Sequence, residues 1–284
     1  MKVLRERLAK ALNSEIRTIK ALHGGMIGQV YHAKLRDDRS VVAKVAKSAT
    51  AQLDIEGRML LYLAEYSSLP VPEVIINEPD FLIMSFIPGS SNLNADVQKD
   101  AAHHLAALHS VRTSQFGFAF ETLIGGLHQP NPNYDRWIDF FRDQRLLYMA
   151  RVAHEAGQLD GDLRSRIERF AERLESYLTE PPAPSLVHGD MWTTNILAQD
   201  GRITGFLDPA IYYGHPEIEL AFSTLFNTFG PPFFDLYSQL QPIEDGFFEV
   251  RRNIYNLYPL LVHVRLFGSS YSTSVSRILS QFGA

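Results

Sequence analysis

Apolar positions along the chain switch between two periods, and the switches divide it into elements. Val3, Leu4, Leu8 and Leu12 recur at helical spacing, which predicts a short amphipathic helix over residues 2–12. Residues 19–35 (IKALHGGMIGQVYHAKL) read as strand, glycine loop and strand, with Val30, His32 and Lys34 alternating. Residues 40–46 (SVVAKVA) form a further strand after the Asp37-Asp38 turn. Residues 51–66 return to the helical period, with Ile55, Met59, Leu60 and Leu63 facing a core. Leu69-Pro70-Val71-Pro72 stops that helix, because a residue before proline is pushed out of the right-handed helical region. Residues 74–77 and 81–86 are two more strands, and the second runs into the Pro/Gly/Ser turn at 87–91.

Beyond that turn the helical period dominates. Residues 95–110, 134–156 and 163–178 read as helices, with 116–118 and the Gly/Pro/Asn-rich 125–133 as loop. Two short apolar runs, 196–198 and 203–207, flank Gln199-Asp200-Gly201 as a hairpin. The segments 217–226, 233–240, 247–267 and 271–281 are again helical, Pro259 bending or interrupting the third. The expected fold class is therefore α+β in two lobes. Residues 1–87 carry an antiparallel sheet, and residues 88–284 form a mainly helical lobe.

Composition narrows the class. A chain of 284 residues can bury two cores, and 45% hydrophobic with 21% charged residues is ordinary for a soluble globular protein. A net charge of −5 gives no electrostatic case for nucleic acid or an anionic membrane as partner. The absence of cysteine excludes disulfides, thiolate catalysis and cysteine-based zinc sites. No stretch approaches the ~20 apolar residues of a membrane span, and the N-terminus lacks a signal-peptide run, so a cytoplasmic protein is expected.

The chemistry concentrates in residues 186–209, LVHGDMWTTNILAQDGRITGFLDP. Asp190 closes a His-Gly-Asp triplet, Asn195 follows five residues later, and Asp208 thirteen after that. Phosphoryl transfer needs such a set: one carboxylate to receive or orient a hydroxyl proton, with an amide and a second carboxylate to hold Mg²⁺ on the phosphates. Upstream, Gly24, Gly25 and Gly28 would let backbone N–H groups approach phosphates. Lys44 lies in an apolar strand and asks for a carboxylate, which Glu56 can supply from the next helix. In that order these form an ATP-grasping set, Lys44 on the α/β-phosphates and Glu56 on Lys44. The backbone of Ser85, Phe86 and Ile87 is the candidate adenine contact.

Other positions read less sharply. Trp192 could stack on a sugar face or be a core tryptophan. Tyr213, His215 and Glu217 follow the second aspartate closely and are candidates to line an acceptor pocket, while Glu219 reads as a charge on its helix N-terminus. His103, His104 and His109 lack the spacing of a helical metal pair and read as surface or hydrogen-bonded histidines.

These residues resemble the fructosamine kinase (ketosamine-3-kinase) family, within the wider aminoglycoside-phosphotransferase-like and protein-kinase-like group. The group resemblance rests on Gly24-Gly25, Lys44, Glu56, Asp190, Asn195 and Asp208. The narrower one rests on HGDMWTTN, DPAIYYGHPEIELAFSTLF, the Phe116-Gly117-Phe118 triplet, and Gln129, Asn131, Trp137, Phe140, Phe141 and Arg145. It implies ATP- and Mg²⁺-dependent phosphorylation of the 3-hydroxyl of a ketosamine, after which the adduct falls apart, hence a role in deglycation. The implied partner is a ketosamine or other small-molecule alcohol, free or carried on a glycated protein. It also implies Asp190 as catalytic base and Asn195 and Asp208 as Mg²⁺ ligands. Pro209-Ala210 stands where protein kinases carry Phe-Gly, and no Ala-Pro-Glu activation-loop end is visible. The rivals are the same fold acting on an aminoglycoside or choline-like alcohol, and a non-catalytic nucleotide-binding protein. The second is disfavoured because all five expected catalytic positions are present.

Overall fold

The computed structural model describes residues 1–22, 28–48 and 52–284. Strands β1 (Ile16–Leu22), β2 (Gly28–Leu35), β3 (Ser40–Ala46), β4 (Val74–Glu78) and β5 (Phe81–Ser85) form one sheet in the order β1-β2-β3-β5-β4. Every neighbouring pair in it is antiparallel. Opposed residues in such a ladder share a face, so the register sorts the side chains. Ala33, Leu35, Val41, Ala43, Phe81 and Ile83 pack on Leu8 and Leu12 of helix α1 (Lys2–Leu12). The other face carries the rungs Val30–Lys44–Leu82 and His32–Val42–Met84. Leu82 and Met84 pack there against Leu53 and Leu60 of α2 (Leu53–Tyr66).

Helix α2 also belongs to the larger core. Its Ile55, Met59 and Leu63 join one cluster with Leu105, Trp137, Phe141 and Phe206 from the rest of the chain. Amphipathic on two sides, it therefore ties the sheet to the helical part. That part begins with α3 (Ala95–His109), whose Asn94 caps it by accepting from the Val97 N–H at 3.0 Å. A two-stranded hairpin, β6 (Thr122–Ile124) with β7 (Leu127–Gln129), follows, its turn and second strand falling in the stretch expected as loop. Gly125 and Gly126 make its turn with φ of 54° and 83°, and three-residue strands are too short to display alternation.

The expected helix at 134–156 is helical from α4 (Trp137–Phe140) through α5 (Tyr148–Glu155), but its middle, Phe141–Leu147, is a π-helical stretch. Helix α6 (Gly161–Ala171) is shorter than expected. Next come β8 (Ser185–Val187), the hairpin β9 (Ile196–Gln199) with β10 (Arg202–Phe206), and β11 (Tyr212–Gly214), which pairs with β8. The chain finishes with α7 (Pro216–Leu225), α8 (Pro231–Leu240), α9 (Arg252–Tyr255), α10 (Leu257–Phe267) and α11 (Ser272–Gln281). Pro259 falls in the first turn of α10, where its missing N–H costs no bond.

The connection after β5 is fastened to the β9–β10 hairpin. Ser90 and Ala198 exchange backbone hydrogen bonds of 2.9 Å in both directions, and the Thr204 hydroxyl donates to the Pro88 carbonyl at 2.7 Å. Gly205 lies close under Ile87, whose Cδ1 would be 2.4 Å from a Cβ there. Among the described residues no helix is long and apolar enough to cross a membrane.

Candidate active site

The segment from β8 to β11 folds back on itself around three backbone contacts. Ala210 N–H donates to the His188 carbonyl at 2.8 Å, Leu207 N–H donates to the Asn195 carbonyl at 2.8 Å, and Tyr212 pairs with Val187. Gly189 has φ 84°, and a Cβ on it would sit 2.1 Å from the Ala210 carbonyl oxygen. The His-Gly-Asp triplet thus needs glycine in its middle for the two backbone runs to meet. Asp208 holds a left-handed backbone, φ 51°, uncommon for a non-glycine residue, and the same contacts hold it there.

These folds bring the sequence-selected side chains together. Asn195 Nδ2 donates to the Asp190 carbonyl at 2.9 Å and to Asp190 Oδ2 at 2.8 Å. Lys44 Nζ donates to Glu56 Oε1 at 2.6 Å and also to Asp208 Oδ1. The two halves of the site, 164 residues apart in sequence, therefore meet at one ammonium. Burial pushes the Glu56 carboxyl up to about 7 against the pull of Lys44. Burial opposes the Lys44 charge, but Asp208 and Glu56 outweigh it and hold its pKa above the ordinary value. Burial also works against Asp208, yet Lys44 keeps its pKa low. Asp190 is pushed up to about 7 by burial, despite the Asn195 amide.

Beside Asp190 lies a cavity of about 20 Å³, room for roughly one water. Gly189, Tyr212, Phe222, Tyr258 and His263 are among its walls. Trp192, half-buried, flanks it with its ring 5.7 Å from Phe226 and 6.2 Å from His263. His263 is a residue the sequence pattern did not single out. Its Nδ1 lies 2.7 Å from the Pro259 carbonyl, which can only accept, so Nδ1 carries the proton. Burial holds the ring's pKa below the usual histidine value, leaving Nε2 as an acceptor.

The remaining expected site residues fall elsewhere. Gly24 and Gly25 lie outside the described residues, and Gly28 opens β2, where a Cβ would press on the Val45 carbonyl oxygen at 2.8 Å. Tyr213 is half-buried, its hydroxyl 2.9 Å from that of Tyr62 on α2 and its ring stacked on Phe118. His215 and Glu217 do not reach the cavity. His215 caps α7, Nδ1 accepting from the Glu217 N–H at 3.1 Å, with its ring against Trp137 and Tyr255. Both oxygens of Glu217 are taken by Arg251, at 2.7 Å each. An apolar helix that starts inside the core needs its polar groups paired, and these two serve that end. Replacing Arg251 by methionine strands a buried carboxylate, so chemical denaturation should read a loss of ~3–5 kcal/mol.

His215 makes stability depend on pH. Burial lowers its pKa from 6.5 to about 3, so between those values the unfolded chain binds the proton and the folded chain does not. Stability then rises with pH through this window, by ~2 kcal/mol from pH 5 to pH 8 for this one ring. Melting temperatures across that range check the sign, and substituting His215 should flatten the slope.

Glu219 is the largest omission of the sequence reading. It is 2% exposed, and it accepts from the Gly189 N–H at 2.7 Å and the His188 N–H at 3.2 Å. His109 Nε2 lies 2.9 Å from it, and His109 Nδ1 lies 2.7 Å from the Tyr237 hydroxyl. A glutamate in a helix apolar almost throughout was the available signal, since a buried charge must be matched by donors. His104 lies half-buried with Nε2 3.6 Å from Asp100 Oδ2, and His103 is exposed.

An antiparallel sheet with a buried lysine–glutamate pair, joined to a helical part that carries an Asp-Asn-Asp set, is the architecture of protein-kinase-like phosphotransferases. The family model for fructosamine kinase matches residues 1–283. The chain belongs to the fructosamine kinase family, whose members are ATP-dependent kinases acting on an alcohol group. It is 33% identical over 266 residues to a probable ketoamine kinase of Enterococcus faecium, covering 91% of this chain and 93% of that protein. A probable ketoamine kinase of Escherichia coli K12 is 30% identical over 289 residues, 98% of each chain. A provisionally named fructosamine-3-kinase from Thermobifida fusca superposes with a TM-score of 0.86 at 26% identity, over 99% of this chain and 98% of that one. The aminoglycoside phosphotransferase APH(4)-Ia shares the fold with a TM-score of 0.70 at 19% identity, over 99% of each chain.

Proposed function

We propose that the protein transfers the γ-phosphoryl group of ATP to the 3-hydroxyl of a ketosamine, and so acts in deglycation. The observation that carries this reading is the convergence of Asp190, Asn195, Asp208, Lys44 and Glu56 beside an aromatic cavity, in a chain of this family. Asp190 receives or orients the proton of the attacking hydroxyl. Its carboxyl, pushed up to about 7, is close to the value an acid–base group needs at neutral pH. Lys44 holds the α/β-phosphates, and Glu56 holds Lys44. Ile87 offers the free backbone donor for adenine, because the N–H groups of Ser85 and Phe86 already donate to Glu73 and Ser40.

The donor set fits Mg²⁺. With Asn195 Nδ2 committed to Asp190, its Oδ1 faces the other way, and the Asp208 side chain, 43% exposed, has Oδ2 to spare. Hard oxygen ligands suit that ion, and among the described residues no cluster of three or more acidic or histidine side chains converges, so phosphates and water would complete the shell. Bound there, Mg²⁺ would neutralise charge on the phosphates. Residues 1–87 act as the ATP-grasping lobe and 88–284 as the catalytic and acceptor lobe, in the cytoplasm.

Trp192 supplies an apolar face for the sugar, and His263 Nε2 accepts a hydrogen bond from the acceptor. The ketosamine reading is favoured over an aminoglycoside, whose several cations call for acidic walls. Besides Asp190, Glu219 is the cavity's other carboxylate, and its oxygens are already bound. Glu219→Gln replaces an acceptor of three hydrogen bonds behind the Asp190 loop, and kcat should fall about 10²-fold with the ATP KM little changed, as steady-state kinetics will show. The reading is tested by ATP consumption with Mg-ATP and a panel of ribulosamines, fructosamines, aminoglycosides and choline. Turnover confined to alcohols other than the ketosamines overturns the acceptor and leaves the kinase.

A further inference from the structure

The walls of the Asp190 cavity continue beyond its rim. Phe222 and His263 line the cavity and also begin a row of aromatic rings that reaches the surface. Phe226 lies 4.9 Å from His263 and 5.7 Å from Trp192, while Phe267 and Tyr271 lie 5.4 and 5.0 Å from His263. Exposure rises outward, from 5% at Phe222 and 7% at His263 to 52% at Phe267. Trp192, Phe226 and Tyr271 are half-buried between these extremes.

We propose that this row is the subsite for the non-sugar arm of the acceptor, the organic group on the ketosamine nitrogen, and that it selects for arms carrying a ring. The proposal rests on the ketosamine reading above and names the part of the substrate that reading leaves open. Three observations direct the arm. The reacting hydroxyl must lie at Asp190, and the nucleotide must come from the side of Lys44 and Asp208. The cavity is small, about 20 Å³, so the acceptor as a whole must extend past its rim. Ring contacts lead from the cavity through Phe222 and His263 to the exposed Phe267.

The chemistry of the row fits such an arm. A ketosamine nitrogen is a secondary ammonium at neutral pH, and a cation is attracted to the ring faces it crosses. A ring-bearing arm then gains stacking and buried area at Phe226, Phe267 and Tyr271. A one-carbon arm reaches none of these.

The test uses the full chain with Mg-ATP and the fructose adducts of methylamine and of benzylamine, which share sugar and ammonium. The expected kcat/KM is about tenfold higher for the benzylamine adduct, the scale of one good aromatic contact. That ratio should fall toward unity in Phe267→Ser and in Tyr271→Ser. In Leu61→Ser, exposed on α2, it should stay as in the parent. Equal kcat/KM for the two adducts, or a ratio unmoved by both aromatic substitutions, overturns the subsite while the kinase's use of ketosamines stands. Turnover of neither adduct, nor of the matching ribulose adducts, overturns the ketosamine reading itself, and the subsite with it.

Discussion

Asp190→Asn is expected to lower kcat for phosphoryl transfer by about 10³-fold, the range for loss of a positioned acid–base group. The substitution is isosteric and leaves the Lys44–Glu56–Asp208 cluster untouched, so ATP affinity should stay within a few-fold, as calorimetry will read. Stability should move the other way. The Asp190 carboxylate is kept at a cost in desolvation, which is what pushes it up to about 7. A neutral amide removes that cost, so the inactive variant should melt no lower than the parent at pH 8. A variant that loses activity and melts much lower would show the aspartate to be a structural group.

Lys44→Met is expected to damage binding and stability together. The lysine, 7% exposed, is the shared cation of Glu56 and Asp208. Without it two carboxylates face each other with no counter-charge, a situation that costs ~3–5 kcal/mol. The ATP KM should rise about 10²-fold from the lost charge-assisted contact, roughly 2.7 kcal/mol. The stability deficit carries a pH signature. Burial already pushes the Glu56 carboxyl up to about 7, above its ordinary 4.5, with Lys44 present. Removing the cation raises it further, so in the variant the folded chain takes up a proton that the unfolded chain does not. Its deficit against the parent should therefore be largest at alkaline pH and shrink as pH falls toward about 7, where the parent's Glu56 takes up the proton too. A deficit that stays constant across that range would contradict the uncompensated-carboxylate account.

Much of this site is legible in the sequence because its parts are set by local spacing. A strand of period two fixes which face Lys44 occupies, and a helix of period 3.6 puts Glu56 within its reach. The turn at Asp200-Gly201 sets Asn195 and Asp208 on the two sides of one hairpin. What was not legible depends on partners far along the chain. His215 and Glu217 follow Asp208 by a few residues, which suggests the pocket, but Arg251 and Trp137 claim them, and neither is visible from that spacing. Glu219 looked like a helix-end charge, and only the approach of residues 188 and 189 shows what it accepts. His263 and Phe222 read as ordinary helix positions until α7 and α10 pack together around the cavity. The short strands β6, β7, β8 and β11 fail for a simpler reason: three residues cannot display a period.

The position of the phosphoryl group on the product tests the central claim most directly. Incubation of the full chain with Mg-ATP and a fructosamine, followed by two-dimensional ³¹P–¹H NMR, should show a phosphate ester coupled to the proton on carbon 3 of the sugar. It should then show the adduct falling apart. An ester at another hydroxyl, or ATP hydrolysis with no phosphorylated ketosamine, would contradict it.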